Sequence, residues 1–293
     1  MHNQFKGTGV ALITPLNENL EIDYTGFKKL LEFNAQGGVD YFVVNGTTGE
    51  SATTNRDEKR QLLDFIRENN EKKLPVMFGT GGYDTRDIIL RLKNIDWNGV
   101  SSLLSVSPYY NRPSQSGIIA HYQAIADACP VPVVLYNVPK RTGQNMTADT
   151  ILALSEHPNI IGVKEASGDF NQIIDIMAGK PKDFLMISGD DMFTIPMISL
   201  GCEGVISVLA NAFPKQMADM VNLAMAGNYS EANQILFALN KINPLMYEES
   251  SPTGVKETLK LKGICDNYVR LPLVTGTDGL RMKIRECLEV LEK

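Results

Sequence analysis

Residues 159–168 read Asn-Ile-Ile-Gly-Val-Lys-Glu-Ala-Ser-Gly. The apolar run 160–163 is typical of a buried parallel strand, and this strand ends on Lys164. A lysine ammonium that loses its hydration there has a lowered pKa, because burial disfavours the charged form. The neutral amine attacks carbonyl carbon, so the segment predicts a site that can form a Schiff base. The alternative is a structural lysine that reaches solvent or pairs with Glu165.

The segment is one unit of a repeating pattern. Short runs rich in Val and Ile alternate with amphipathic helices, and eight strand–helix units are complete by about residue 226. The predicted strands cover residues 10–13, 41–44, 76–78, 102–106, 133–136, 160–163, 184–187 and 204–208. Eight such units predict an α/β fold, the closed (β/α)8 or TIM barrel. An open doubly wound sheet is the alternative, but it usually stops at about five or six strands.

The chain has 293 residues, of which the last part reads as helices only. We expect residues 1–226 to form the barrel and residues 227–293 to form a C-terminal extension of three helices. These helices are predicted near 229–246, 253–261 and 279–291. Each has a single apolar stripe, which predicts packing against the barrel and not an independent domain.

Composition argues against several classes of protein. The formal net charge is −6 and no basic run is present, which disfavours nucleic-acid binding. No apolar stretch reaches the ~20 residues that span a bilayer. The start of the chain has no signal-like run, and the four cysteines form no Cys-x-x-Cys pair, so we expect a cytoplasmic protein. The three histidines have no metal-ligand spacing, and we expect no metal.

Two loops that follow predicted strands are rich in hydroxyl groups. Residues 45–51 read Asn-Gly-Thr-Thr-Gly-Glu-Ser, and the glycines let the backbone approach an anion closely. Thr47 and Thr48 could therefore bind a carboxylate or pass a proton. Residues 107–113 contain adjacent tyrosines between prolines, and one of them is expected to project into a neighbouring chain. In a parallel barrel, both loops lie on the rim that carries catalysis.

Two more loops reach the same rim. Tyr136 closes the fifth strand and can turn its hydroxyl to the mouth, while Arg141 offers a planar fork suited to a carboxylate. In the loop 188–191, Gly189 allows close approach of the backbone, and Asp191 is predicted to cap the next helix. A lysine, a tyrosine, hydroxyl groups and an arginine on one rim suit the chemistry of a 2-oxo acid.

The chain resembles the dihydrodipicolinate synthase family of the class I pyruvate-dependent aldolases, a superfamily that includes N-acetylneuraminate lyase. The matching segments are GTTGES at 46–51, PYYNRPSQ at 108–115, YNVPKRTG at 136–143, GVKEASG at 162–168 and SGDD at 188–191. They occur in the family's order and spacing, and the resemblance covers nearly the whole chain.

The resemblance implies a lyase that condenses pyruvate with aspartate 4-semialdehyde to 4-hydroxy-tetrahydrodipicolinate, in diaminopimelate and lysine biosynthesis. It implies no cofactor besides a covalent Schiff base of pyruvate on Lys164. It also implies a homotetramer built as a dimer of tight dimers, with no nucleic-acid or membrane partner.

The resemblance implies catalytic roles for individual residues of this chain. Lys164 is expected to form the imine, and Tyr136 to deliver and remove protons. Thr47 is expected to link Tyr136 to Tyr110 in a hydroxyl relay, with Tyr110 donated across the tight dimer interface.

Binding roles are carried over in the same way. Thr48 is expected to hold the pyruvate carboxylate, and Arg141 the carboxylate of the second substrate. Gly189 and Ile206 are expected to shape the pocket through backbone contacts.

The resemblance also implies an allosteric site for lysine at the tight dimer interface. The matching positions are Ser51, Ala52, Arg56, Lys59, Tyr83, Asp87 and Tyr109. Arg56 and Lys59 place fixed cations where a cationic ligand would sit, so we predict weak or absent inhibition by lysine.

Three alternatives to the synthase are a 2-keto-3-deoxy sugar acid aldolase, an N-acetylneuraminate lyase and a non-catalytic barrel that binds a 2-oxo acid. The Thr-Thr turn, the Tyr109-Tyr110 pair and Arg141 favour the synthase. Residues 248–252 read Glu-Glu-Ser-Ser-Pro in place of the family's usual Asn-Pro pairing, which leaves the local contacts there open.

Overall fold

Eight parallel strands close into a barrel, in which each strand pairs with the next and the eighth pairs with the first. The computed structural model describes residues 3–291. The first two residues of the predicted range 1–226 and the last two of the range 227–293 lie outside the described residues. The strands are β1 (Gly7–Ala11), β2 (Tyr41–Val44), β3 (Val76–Gly79), β4 (Ser102–Val106), β5 (Val133–Asn137), β6 (Ile160–Glu165), β7 (Leu185–Ser188) and β8 (Gly204–Ser207). The predicted TIM barrel is confirmed.

Helices surround the barrel and continue beyond it. They are α1 (Tyr24–Gln36), α2 (Arg56–Asn69), α3 (Thr85–Leu92), α4 (Gln115–Ala128), α5 (Pro139–Thr142), α6 (Ala148–Ser155), α7 (Phe170–Gly179), α8 (Thr194–Ser199), α9 (Pro214–Met225), α10 (Tyr229–Leu239), α11 (Thr253–Leu261) and α12 (Asp278–Leu291). Side-chain caps explain several starts. Asn55 accepts from the Glu58 amide while the Glu58 side chain accepts from the Asn55 amide, and together the two bonds form a capping box.

Two element boundaries differ from the prediction by three residues or more. β1 begins at Gly7 and not at Val10, because its first residues are small instead of apolar: a Cβ at Gly9 would lie 2.2 Å from the Tyr41 ring. The helix predicted over 229–246 ends at Leu239, and a separate 3-10 turn covers Pro244–Met246. Proline cannot continue the hydrogen-bonding of a preceding helix, so this break has a local cause.

The C-terminal extension shares its core with the barrel. Leu239, Val255 and Leu280 belong to the same buried apolar cluster as Val10 and Phe213. The loop that joins α10 to α11 reaches the rim formed by the carboxyl ends of the strands. Over residues 3–291, no helix combines the length and apolar character needed to cross a membrane.

Candidate active site

Lys164 lies near the end of β6, directly opposite Tyr136 of β5 in the strand register. Its side chain points into the barrel, where it is 5% exposed, and Nζ lies 4.4 Å from the centroid of the Tyr136 ring. Burial lowers the pKa of Lys164 to about 8, with Asp191 opposing the shift and Arg141 adding to it. About a tenth of this lysine is therefore a neutral nucleophile at pH 7, far more than at its ordinary pKa.

Glu165 does not pair with Lys164. Successive residues of a strand point to opposite faces, so Glu165 faces the helices. Its carboxylate accepts from Asn137 Nδ2 at 2.9 Å, from Gln172 Nε2 at 3.2 Å and from the Ser167 amide at 2.6 Å. These bonds hold the ends of β5 and β6 together, and they leave the Lys164 amine without a carboxylate partner on its own strand.

Tyr136 is buried beside the lysine, and burial raises the pKa of its phenol. The charge of Arg141 and the Thr47 side chain next to the phenol partly offset that rise. Two residues separated by 89 positions in the chain, Thr47 and Tyr136, thus meet at one point of the rim. The pair can hold and move a proton next to the lysine nitrogen.

A cavity of about 600 Å³ opens above these groups, and we call it the catalytic cavity. The predicted residues that line it are Thr47, Thr48, Tyr136, Arg141, Lys164 and Gly189. A Cβ at Gly189 would lie 2.6 Å from that of Ala166, so only glycine fits this wall. Ile206 packs in the apolar interior of the barrel, and Val208 lines the cavity two residues later.

Arg141 reaches the cavity from α5, a single turn that the sequence analysis did not predict. Pro139 occupies its first position, and Gly143 ends it with φ of 73°. A proline at the start and a left-handed glycine after the end are recognised helix signals, so α5 could have been found from sequence.

The extension supplies a wall of the catalytic cavity that the sequence analysis missed. Its lining residues are Asn243, Pro244, Tyr247, Ser250 and Ser251. Asn243 Oδ1 and Ser251 Oγ are buried and have no hydrogen-bond partner in the described part of the chain. No local pattern could have placed them here, although the unusual run 248–252 marked the segment.

Asp191 does not cap the following helix, and that prediction was wrong. Its carboxylate instead accepts from the amides of Val208 and Leu209, at 3.2 and 3.0 Å, because the loop turns inward to the end of β8. α8 begins at Thr194 without a side-chain cap. Burial raises the pKa of Asp191 to about 6, so near pH 8 it is a buried anion that acts on Lys164.

Tyr110 lies outside the catalytic cavity of its own chain. It is 87% exposed, does not line the cavity, and has a left-handed backbone with φ of 72°. Tyr83 is an aromatic neighbour, with ring centroids 6.3 Å apart. A link from Thr47 to Tyr110 is not formed within a single chain.

Beside the catalytic cavity lies a second opening of about 590 Å³, which we call the side cleft. The candidate allosteric residues that line it are Ser51, Ala52, Lys59, Tyr83, Asp87 and Tyr109. Arg56 instead lines an adjoining opening that shares Lys59. Thr47 and Arg141 line both the side cleft and the catalytic cavity, so the two openings meet at these residues.

The described part of the chain has no cluster of metal-ligating side chains at this rim. Among residues 3–291, no group of three or more His, Cys, Asp or Glu side chains is arranged to hold a metal ion.

Comparison with known proteins agrees with this geometry. The 4-hydroxy-tetrahydrodipicolinate synthase of Cytophaga hutchinsonii is 52% identical over 286 residues, covering 98% of this chain and 96% of that protein. The enzyme of the same name from Parabacteroides distasonis is 45% identical, with 98% and 97% covered. The solved dihydrodipicolinate synthase of Thermotoga maritima superposes with a TM-score of 0.95 at 33% identity, with 99% of each chain covered.

A second solved structure, the enzyme from Cyanidioschyzon merolae with lysine bound, has a TM-score of 0.94 at 35% identity and covers 99% of each chain. Residues 4–291 match the sequence profile of the Dihydrodipicolinate synthetase family. With its barrel, its buried lysine and its relatives in agreement, this chain belongs to the dihydrodipicolinate synthetase family.

Proposed function

We propose that the chain is a 4-hydroxy-tetrahydrodipicolinate synthase, a lyase that condenses pyruvate with aspartate 4-semialdehyde in diaminopimelate and lysine biosynthesis. One observation carries the chemistry. Lys164 is buried at the floor of the catalytic cavity, its pKa is lowered to about 8, and the Tyr136 ring lies 4.4 Å from its nitrogen. A nucleophilic amine next to a proton carrier is what imine formation needs.

The first half of the reaction uses Lys164 and Tyr136. The neutral amine attacks the carbonyl carbon of pyruvate, and loss of water gives a protonated imine. The imine acidifies the neighbouring methyl group, and loss of one proton gives an enamine. Tyr136, with Thr47 beside it in the cavity wall, carries these protons. Thr48 holds the pyruvate carboxylate from the adjacent position of the turn.

The second half joins the two substrates. The enamine carbon attacks the aldehyde carbon of the semialdehyde, and its oxygen takes up a proton to become the hydroxyl group. The amino group of the second substrate then replaces Lys164 at the imine carbon, which closes the ring and frees the enzyme. Arg141, at the mouth of the cavity, binds the carboxylate of this second substrate.

This site favours the synthase over the other aldolases. Arg141 lines the cavity and offers a planar fork for a carboxylate. The aldehyde part of a sugar acid carries hydroxyl groups in place of that carboxylate. A non-catalytic barrel has no use for a lysine with a lowered pKa beside a tyrosine.

We further propose that the enzyme needs no metal or organic cofactor and works in the cytoplasm as a homotetramer, built as a dimer of tight dimers. The support for a partner chain is Tyr110, a large aromatic side chain that is 87% exposed beside the cavity rim. One structural neighbour is a monomeric variant of dihydrodipicolinate synthase, so the mass of this chain in solution tests the proposed tetramer.

Two measurements test the function. A coupled assay with pyruvate and aspartate 4-semialdehyde should give turnover, while keto-deoxy sugar acids and N-acetylneuraminate should be cleaved far more slowly. Borohydride added with pyruvate should reduce the imine and leave a covalent adduct on Lys164. Turnover of a sugar acid at a higher kcat/KM, or an adduct on a different lysine, would refute the proposal.

A further inference from the structure

A buried ion pair joins the C-terminal extension to the turn that carries Thr47 and Thr48. Lys256 of α11 is fully buried, and its Nζ lies 2.5 Å from Glu50 Oε1. The two residues are 206 positions apart in the chain. Neither takes part in the chemistry proposed above, and a buried charge pair with such geometry is costly to break, because either partner alone is an uncompensated charge.

Glu50 is held from two sides by the extension. Besides Lys256, the backbone amide of Arg270 donates to Glu50 Oε2 at 2.9 Å. Lys256 is itself anchored by a second bond, to the carbonyl oxygen of Tyr268 at 2.7 Å. The carboxylate therefore has little freedom to move relative to α11.

The backbone of Glu50 transmits this restraint to the turn. Its φ is 55°, a left-handed conformation that is uncommon outside glycine and persists only where the surroundings enforce it. In that conformation the Glu50 amide donates to the carbonyl oxygen of Thr47 at 3.1 Å. The Glu50 carbonyl in turn accepts from Thr54 Oγ1 at 2.9 Å.

We infer that Lys256 is a positioning residue for the active site: by holding Glu50, it sets the conformation of the turn 46–51 and the places of the Thr47 and Thr48 hydroxyl groups. This inference rests on the proposed function, which assigns proton transfer to Thr47 with Tyr136 and binding of the pyruvate carboxylate to Thr48. The extension is then part of the catalytic apparatus and not only a cover for the barrel.

The test is Lys256→Met, which keeps the length of the side chain but removes the charge that holds Glu50. With the turn released, we expect a lower kcat and a higher KM for pyruvate, because misplacement of positioning groups by ~1 Å can cost about 100-fold. A second readout is the exchange of pyruvate methyl protons with deuterium in the absence of the semialdehyde. This exchange reports proton removal at the imine and should slow with kcat.

The matched control is Glu257→Gln on the same helix. Glu257 is equally buried, but its carboxylate binds Asn267, the Gly276 amide and Arg281, all within the extension. This variant should lower the melting temperature while leaving kcat, KM and the exchange rate unchanged, in assays run well below both melting temperatures.

The outcomes distinguish a positioning role of Lys256 from a purely structural one. Slower exchange and turnover in Lys256→Met, with normal values in Glu257→Gln, support the positioning role. Normal kinetics in Lys256→Met, or equal losses in both variants, overturn it. If Lys256→Met does not fold, Glu50→Gln takes its place, since its amide oxygen still accepts from Arg270. A wild-type chain with neither adduct on Lys164 nor exchange would instead refute the proposed function.

Discussion

At the scale of single residues, the chemistry depends on burial and on two charged groups that act on the Lys164 nitrogen. Burial lowers the pKa of Lys164 to about 8, the anion of Asp191 favours its charged form, and the cation of Arg141 disfavours it. Asp191 is itself fixed by two backbone amides, so its charge stays in place through the reaction. The reactivity of the lysine is therefore set by a balance that single substitutions can shift in either direction.

The pH dependence of kcat/KM for pyruvate should show this balance. At pH values below its pKa of about 8 the lysine is mainly protonated and cannot attack, so kcat/KM should rise with pH through about 8. Asp191→Asn removes the charge that favours protonation, and its rising limb should move to lower pH. Arg141→Ala removes the opposing charge, and its limb should move to higher pH. Shifts of both limbs in one direction would contradict the assignment.

Tyr136→Phe keeps the ring over Lys164 but removes the proton carrier. We expect turnover to fall by about 10²–10⁴-fold, the usual worth of general acid–base catalysis. The control is Tyr41→Phe, which removes a buried hydroxyl that donates to the Val205 carbonyl at 3.4 Å, from the start of β2 and away from the rim. The control should lose about 1 kcal/mol of unfolding free energy and keep its turnover. Near-normal turnover in Tyr136→Phe would rule out its role.

At the scale of elements, α2 and α3 determine the charge of the side cleft. Asp87, the acidic residue that would meet a ligand ammonium, is already paired with Arg91 at 2.9 Å. Lys59 faces the same cleft from α2, and burial together with Arg91 lowers its pKa. Tyr83 packs edge-on against Tyr109, with centroids 5.6 Å apart, and fills part of the space. The side cleft thus presents cations and a pair of tyrosine rings where the ammonium group of a lysine ligand would need an unpaired carboxylate.

A lysine titration of the synthase assay, at saturating pyruvate, should show weak or absent inhibition. Like charges within a few ångströms in a partly buried cleft disfavour binding by about 1 kcal/mol or more. Lys59→Gln removes one of them and should increase whatever sensitivity exists. Half-maximal inhibition by submillimolar lysine in the unmodified chain would show that the cations turn away from the ligand.

At the scale of the whole molecule, we predict from the exposed Tyr110 that one chain completes the site of another. A mixture of two inactive variants tests this. In a dimer of Lys164→Ala with Tyr110→Phe, the site that keeps Lys164 receives the intact Tyr110 of its partner. Co-refolded chains should therefore regain part of the turnover, while each variant alone stays impaired. No recovery in mass-verified mixed dimers would place the role of Tyr110 within its own chain.

The sequence by itself determined the elements and the reactive groups of this protein. Strand β6, the capping box of Asn55 and the position of Tyr136 near the end of β5 are local patterns, in which the period of apolar residues and the caps act within a few positions. The family segments add the prediction that Lys164 is the nucleophile. Even the missed turn α5 has a local signal, in Pro139 and Gly143.

Only the tertiary structure decided which distant groups meet. Asp191 looked like a cap, but closure of the barrel brings it to the end of β8, where the Val208 and Leu209 amides compete successfully for its carboxylate. Ser251 reaches the catalytic cavity, and Lys256 reaches Glu50, because the extension packs on the barrel core. The Lys256–Glu50 contact joins residues 206 positions apart in the chain. Such contacts form only when the chain has folded, so the local sequence pattern does not predict them.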